Sequence, residues 1–280
     1  MHLQQLTGPI AYHGEGPVWS PRWGGLQWVD MFAGDVLSLA DDGSVRRRHV
    51  ADLVAAMRPR VSGGTVYAVE RGLLLEGADG LLEPLPLWDR PDVRMNEGAC
   101  DPDGRFWAGS MAYDRTQGAA SLYRVGPDRR VETALTGITI SNGLGWSPDG
   151  TLAYYNDTAT HEVSVFDYDP EAGLTNRRTL VRVADDGSPD GLTVDAEGGI
   201  WTAIADQGAV HRYTPHGRLD EVVEVPATKV TSCTFGGEDL DQLFITTSQE
   251  DVDTSQDPNA GSLFRAEVGV RGMPVLEFAG

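Results

Sequence analysis

Four short motifs carry the oxygen-rich side chains that could do chemistry in this chain: Glu15-Gly16, Asn96-Glu97-Gly98, Asn142-Gly143 and Asp190-Gly191. Thr231-Ser232-Cys233 stands at the matching place in a fifth segment. Each lies ten to thirteen residues before an aromatic side chain. Brought to one point without a basic partner, three carboxylates and an amide would repel and be costly to desolvate. A divalent cation removes that cost, and ligands made only of oxygen suit Ca²⁺, Mg²⁺ or Mn²⁺. Taken singly, each residue reads equally well as an Asx or Glx turn beside a glycine at a strand start. The shared register is what points to a metal.

The elements that must bring these residues together repeat. The aromatics Trp28, Tyr67, Trp107, Tyr154, Trp201 and Phe244 follow a Gly- or Asp-containing turn at intervals of 39, 40, 47, 47 and 43 residues. Periods of about 40–50 residues with several strands each mark propeller blades. Further strands are expected at 35–39, 46–51, 121–125, 131–135, 163–168 and 179–183, punctuated by Gly, Asp and Pro. No stretch holds a helical apolar period, and Leu53–Met57 offers one helical turn at most. The expectation is an all-β, six-bladed propeller of four strands per blade in one domain, with a divalent metal in the central channel. Blades are expected at about 15–52, 53–93, 94–138, 139–187, 188–228 and 229–280, with 1–14 closing the ring. Inner strands line the channel of a propeller, so Glu15, Glu97, Asn142 and Asp190 are expected to face one another across the axis.

On Glu15-Gly16-Pro17-Val18-Trp19, Arg94-Met95-Asn96-Glu97-Gly98, Asp101 through Gly109, Ser141-Asn142-Gly143-Leu144, Pro189-Asp190-Gly191 and Thr231 through Gly237, the chain resembles a known family. It is the senescence marker protein-30/gluconolactonase/luciferin-regenerating (regucalcin-like) family, and the resemblance runs from about Glu15 to about Ser248. It implies a six-bladed propeller that binds one divalent metal and hydrolyses a sugar lactone. By the same resemblance Glu15, Asn142 and Asp190 match metal ligands, and Arg94 and Asn96 match positions that contact substrate. Asp190 is then also the expected general base. Glu97 departs from the pattern, where Asp is commoner; its extra methylene brings the carboxylate toward the metal or crowds the substrate. The metal's identity stays open among Ca²⁺, Mg²⁺, Mn²⁺, Zn²⁺ and Fe²⁺. Two other functions remain: hydrolysis of another ester such as a phosphotriester, and a non-catalytic propeller that binds metal or protein.

Composition narrows the partners. The chain has 280 residues and a formal net charge of −20, which argues against nucleic acid and against an anionic membrane surface. Its longest apolar run, five residues, cannot span a bilayer. The N-terminus lacks the basic and apolar regions of a signal peptide, and two cysteines, Cys100 and Cys233, are too few for a disulfide framework. A cytoplasmic protein with reduced, buried thiols and a small-molecule sugar lactone as partner is expected. No Gly-x-Ser-x-Gly elbow, dinucleotide fingerprint or phosphate-binding loop is present, and Asp251 through Asp257 lacks the Gly and Glu of an EF-hand.

Overall fold

The six repeating aromatics mark the second strand of six sheets. In the computed structural model, which describes residues 2–184 and 187–280, Trp28 lies in Gly25–Asp30, Tyr67 in Thr65–Val69 and Trp107 in Phe106–Ala112. Tyr154 lies in Leu152–Asp157, Trp201 in Ile200–Ile204 and Phe244 in Gln242–Thr247. All six are buried, so the large side chain of each repeat fills the space between adjacent blades. The result is a six-bladed β-propeller with four antiparallel strands in each blade. Blades one to five run in chain order from the channel outward. In blade six the strand His2–Gln5 pairs outside Leu263–Glu267, with His2 opposite Glu267. The N-terminal segment therefore takes the outermost position and closes the ring.

The inner strands are Gly14–Ser20, Val54–Pro59, Val93–Cys100, Ser141–Trp146, Pro189–Val194 and Val230–Gly236. Each packs against the next around the channel, the last against the first. All six break register against their second strand near the same level: between Glu15 and Val18, Val54 and Ala56, Met95 and Glu97, Ser141 and Leu144, Pro189 and Leu192, and Val230 and Ser232. Such bulges twist a strand and re-aim its side chains.

Two expectations need correction. Leu53–Met57 is not a helical turn but runs into the inner strand of blade two, where Ala55 and Ala56 are small enough to sit against blade one. The acid-glycine and amide-glycine pairs lie inside the inner strands, where their convergence on the axis requires them. The outer strand of blade four starts at Gly173 rather than Thr179, extending as one edge of a long hairpin.

Two buried aspartates fix the turns at the far end of the inner strands. Asp101 Oδ1 accepts the N–H groups of Asp103 and Arg105, while Oδ2 accepts from Trp107 Nε1 at 2.9 Å and the Tyr168 hydroxyl at 2.7 Å. Tyr168 belongs to blade four, so one carboxylate joins two blades. Asp195 repeats the design in blade five, accepting from the Glu197 and Gly199 N–H groups, Trp201 Nε1 and Arg212 Nε. At the same end, the C-terminal segment forms a strap across the channel. Gly272 bonds Leu240 of blade six, Phe278 pairs with Pro59 and Val61 of blade two, and Ala279 bonds Gly104 of blade three. Phe278 is fully buried and anchors it. Among the described residues no helix is long and apolar enough to cross a membrane.

Removing one aspartate leaves a tryptophan N–H, an arginine and two main-chain donors without their acceptor. Asp195→Ala is expected to lower unfolding stability by about 3 kcal/mol or more. Guanidinium unfolding measures this, and a loss within about 0.5 kcal/mol of zero would show the turn to be held by other means.

Candidate metal centre and substrate pocket

Glu15, Arg94, Asn96, Asn142 and Asp190 line a single cavity of about 200 Å³ at the entry end of the inner strands. Blades one, three, four and five each supply at least one of them. Glu97 does not join them. It lines a second cavity, of about 110 Å³, at the opposite end of the channel with Arg58, Cys100, Cys233 and strap residues Met273 to Leu276. The register break between Met95 and Glu97 separates Asn96 from its neighbour in this way. Glu97 still bears on the pocket, because its charge raises the pKa of both Glu15 and Asp190. Both thiols are free and buried, and burial pushes each upward, so neither is poised as a thiolate.

The close approach of neighbouring blades sets the side chains. A Cβ on Gly143 would stand 2.5 Å from the Leu192 nitrogen and 2.7 Å from the Asp190 carbonyl oxygen, and one on Gly191 would collide with Ser232. Glycine at these two positions lets the inner strands touch, which carries the preceding Asn142 and Asp190 into one pocket. Asn142 is then oriented by Thr158. Its Nδ2 donates to Thr158 Oγ1 at 2.9 Å, and that hydroxyl donates on to the Pro189 carbonyl at 2.8 Å. Asn142 Oδ1 is left buried with no hydrogen-bond partner. Asn156 Nδ2 donates to the Asp190 carbonyl at 2.6 Å, holding that main chain in place.

The electrostatics are dominated by buried acids that repel one another. Burial, then the charges of Asp190 and Glu97, drive Glu15 well above the usual carboxylate range, against the Gly16 N–H and Arg94. Asp190 keeps some exposure to the pocket, but desolvation of its carboxyl, followed by Glu97, drives it up as well, with Lys229 pulling the other way. Burial also raises Glu97, opposed by Arg58 and the Gly98 N–H. Among the described residues no three His, Cys, Asp or Glu side chains form a ready-made metal cluster. The donor set instead mixes two carboxylates with an orphaned amide oxygen. An oxygen acceptor buried without a donor beside mutually repelling carboxylates fits a hard divalent cation.

Arg94 is held beside this set. Its Nη1 donates to Asn96 Oδ1 at 2.8 Å and the Met95 carbonyl at 2.9 Å, and its plane lies over Phe32. Asn96 Nδ2 in turn donates to the Ser141 carbonyl at 2.9 Å, so Asn96 positions the guanidinium and keeps one amide N–H. Several lining residues escaped the sequence reading: His13, Arg115, Thr158, Asp206, Lys229 and Glu250. His13 Nδ1 bonds Ser248 Oγ at 2.7 Å, and burial pulls its pKa down to about 3, so the imidazole is neutral. Lys229 carried a signal, being the chain's only lysine; Thr158 carried none. Asp157 caps the Thr139 and Ile140 N–H groups, and Asp114 caps Thr116, so both act as loop anchors.

The geometry has known counterparts. Residues 13–249 match the model of the SMP-30/Gluconolactonase/LRE-like region. The chain belongs to this family. It is 34% identical over 281 residues to regucalcin of Danio rerio, with 95% of each chain covered. It is 32% identical over 279 residues to the putative sugar lactone lactonase YvrE of Bacillus subtilis (strain 168), again covering 95% of each. The crystal structure of a calcium-binding protein, regucalcin, from Agrobacterium tumefaciens superposes with a TM-score of 0.92 at 29% identity, covering 98% of this chain and 96% of that one.

Two measurements probe the site. Glu15 and Asp190 titrate above their unfolded values, so folding favours their protonated forms; the stability they contribute is complete at low pH and lost as pH rises through the raised values. In chelated protein this loss stands, whereas a bound divalent cation relieves it. The gap in Tm between Ca²⁺-saturated and chelated protein is therefore expected to widen from about pH 4.5 to about pH 8. A constant gap would show that these acids are not what the cation meets. Thr158→Val releases the Asn142 amide and is expected to weaken divalent-cation binding about tenfold in calorimetry, as loss of a ligand's outer partner does. Unchanged affinity would mean that Asn142 is oriented without it.

Proposed function

We propose that the protein is a metal-dependent hydrolase that opens a sugar lactone of the glucono-, galactono- or xylono- type. The observation that carries this reading is the unpartnered, buried Asn142 Oδ1 in one pocket with Glu15 and Asp190, whose carboxyls repel. A divalent cation held by Glu15, Asn142 and Asp190 would supply the Lewis acid that a lactone carbonyl needs. The regucalcin and lactonase relatives support the assignment.

The remaining work falls to side chains. Arg94 presents a planar fork of donors to ring oxygens, fixed by Asn96 and Phe32. Asp190 in its ionised form takes a proton from the attacking water, whose oxygen bonds to the acyl carbon while the ring C–O bond breaks. The ring oxygen takes that proton from Asp190 and leaves as a hydroxyl, and the new carboxylic acid then ionises, releasing one proton. Lys229 favours the ionised form of Asp190 that this step requires. Glu97, which lines the second cavity, acts through its charge rather than by contact with the sugar. Neutral His13 adds no proton donor near pH 7.

The test follows acid release at constant pH on a panel of aldonolactones, using chelated protein and protein with Ca²⁺, Mg²⁺, Mn²⁺, Zn²⁺ or Fe²⁺ restored. Turnover above spontaneous opening, abolished by chelation and restored by an ion, is expected. Asp190→Ala is expected to lower kcat at least 100-fold, as loss of a general base does, in protein that stays folded. Folded protein without metal-restorable turnover on any lactone would overturn the reading in favour of another ester, or of binding alone.

A further inference from the structure

Positive charge collects around this pocket in a chain that has little to spare. Arg94, Arg115 and Lys229 all line it, although the formal net charge is −20 and no other lysine exists. Arg94 is only 6% exposed. It hydrogen-bonds Asn96 Oδ1, the Met95 carbonyl and the Met31 sulfur, while Glu250 and Glu15 act on it through their charge without forming an ion pair among the described residues. Buried guanidinium groups ordinarily keep an acid partner, because the charge is otherwise costly to desolvate. An anion that arrives with the substrate would supply that partner.

The other two cations extend the same feature. Arg115 adopts a left-handed backbone, φ 58°, in the short loop after the second strand of blade three. That conformation is costly for a residue with a side chain, and it stations the guanidinium at the rim. Its one acid contact is Asp251 at 3.4 Å, with both side chains exposed, an arrangement that contributes little in water. Lys229 Nζ donates to the Glu250 carbonyl at 2.8 Å and reaches its carboxylate at 3.4 Å, which leaves one N–H for a ligand.

Nearby acids already face two of these three cations. Glu15 and Asp190 are the expected cation ligands, Asp206 takes the Ser188 hydroxyl, Glu250 takes Lys229 and Asp251 faces Arg115. Buried Arg94 is the one left without an acid partner in contact. A ring of neutral hydroxyls has no use for it. We propose that the substrate lactone bears an ionised carboxylate as well as its ring ester, as the monolactone of an aldaric acid does, and that Arg94 receives this group with Arg115 and Lys229 completing the charge. One unpaired guanidinium matches a carboxylate better than a phosphate, which carries about −1.5 to −2. Arg94 also offers the planar fork that pairs with a carboxylate through two parallel bonds. The proposal rests on the lactonase reading and adds the substrate class to it.

The experiment compares kcat/KM for D-glucaro-1,4-lactone with that for D-glucono-1,4-lactone, which has the same ring and configuration and no charge, in metal-loaded protein. In parallel, calorimetry measures binding of D-glucuronate, D-glucose and D-glucose 6-phosphate, none of which is a lactone. The acidic lactone is expected to be favoured at least tenfold. That preference should fall threefold or more in Arg115→Gln and in Lys229→Gln, and shrink as salt is raised. Arg115 is exposed, so its variant reads the charge even if Lys229→Gln disturbs the fold. Equal or better use of the neutral lactone, or a preference untouched by both variants, overturns the proposal. Tighter binding of the sugar phosphate than of glucuronate overturns the carboxylate in particular. If neither lactone turns over while glucuronate still binds better than glucose in an Arg115-dependent way, the anion site stands and the lactonase reading falls.

Discussion

Neighbouring inner strands meet around the channel so closely that a methyl group cannot stand between blades four and five. Gly143 makes this contact against Asp190 and Leu192, and Gly191 makes the equivalent one against Ser232 of blade six; the residue before each is a pocket oxygen donor. Strand alternation alone would send side chains to the two faces of a blade in turn. The six register breaks at one level of the six inner strands change that rule locally. They let Glu15, Asn142 and Asp190 share a cavity, and they turn Glu97 toward the second cavity while Asn96 faces the first. Shape precedes charge here: the packing forces acids together, and the acids then demand a counter-ion.

The protein meets that demand unevenly. Far from the pocket, each buried acid has its full set of donors, as Asp101 and Asp195 show with four apiece. Inside the pocket Glu15 has one main-chain N–H, and Asn142 Oδ1 has none. The two treatments of buried oxygen belong to one fold a few residues apart along the same strands. Asp101 and Asp195 are fully satisfied at the lower turns, while the pocket keeps an amide oxygen with no donor. Such an imbalance is what a site for an external ligand looks like in energetic terms.

Much of this was legible in the sequence. The spacing of Trp28, Tyr67, Trp107, Tyr154, Trp201 and Phe244 located all six second strands, because one large side chain per blade must fill the gap to its neighbour. The residue-glycine pairs were visible too, but their glycines read as turns; nothing in a single chain distinguishes a glycine needed for φ from one needed for contact. Val54–Pro59 was hidden because a short apolar run has no period to tell strand from helix. The separation of Glu97 from Asn96 could not be read, since it depends on where a register breaks. Thr158, Glu250 and Arg115 come from loops that only the closed ring brings over the pocket, so their roles had no local pattern.

Blade six is assembled from both ends of the chain, its outermost strand supplied by His2–Gln5. No covalent bond closes the circle there; a ladder of hydrogen bonds does. The same blade sends Glu250 from its second-strand end and Lys229 from just before its inner strand into the pocket wall. The clasp and part of the pocket's charge are thus one object. A chain rewired to begin between two other blades would move the clasp elsewhere and leave that wall uncut, separating how the ring is fastened from how the pocket is charged.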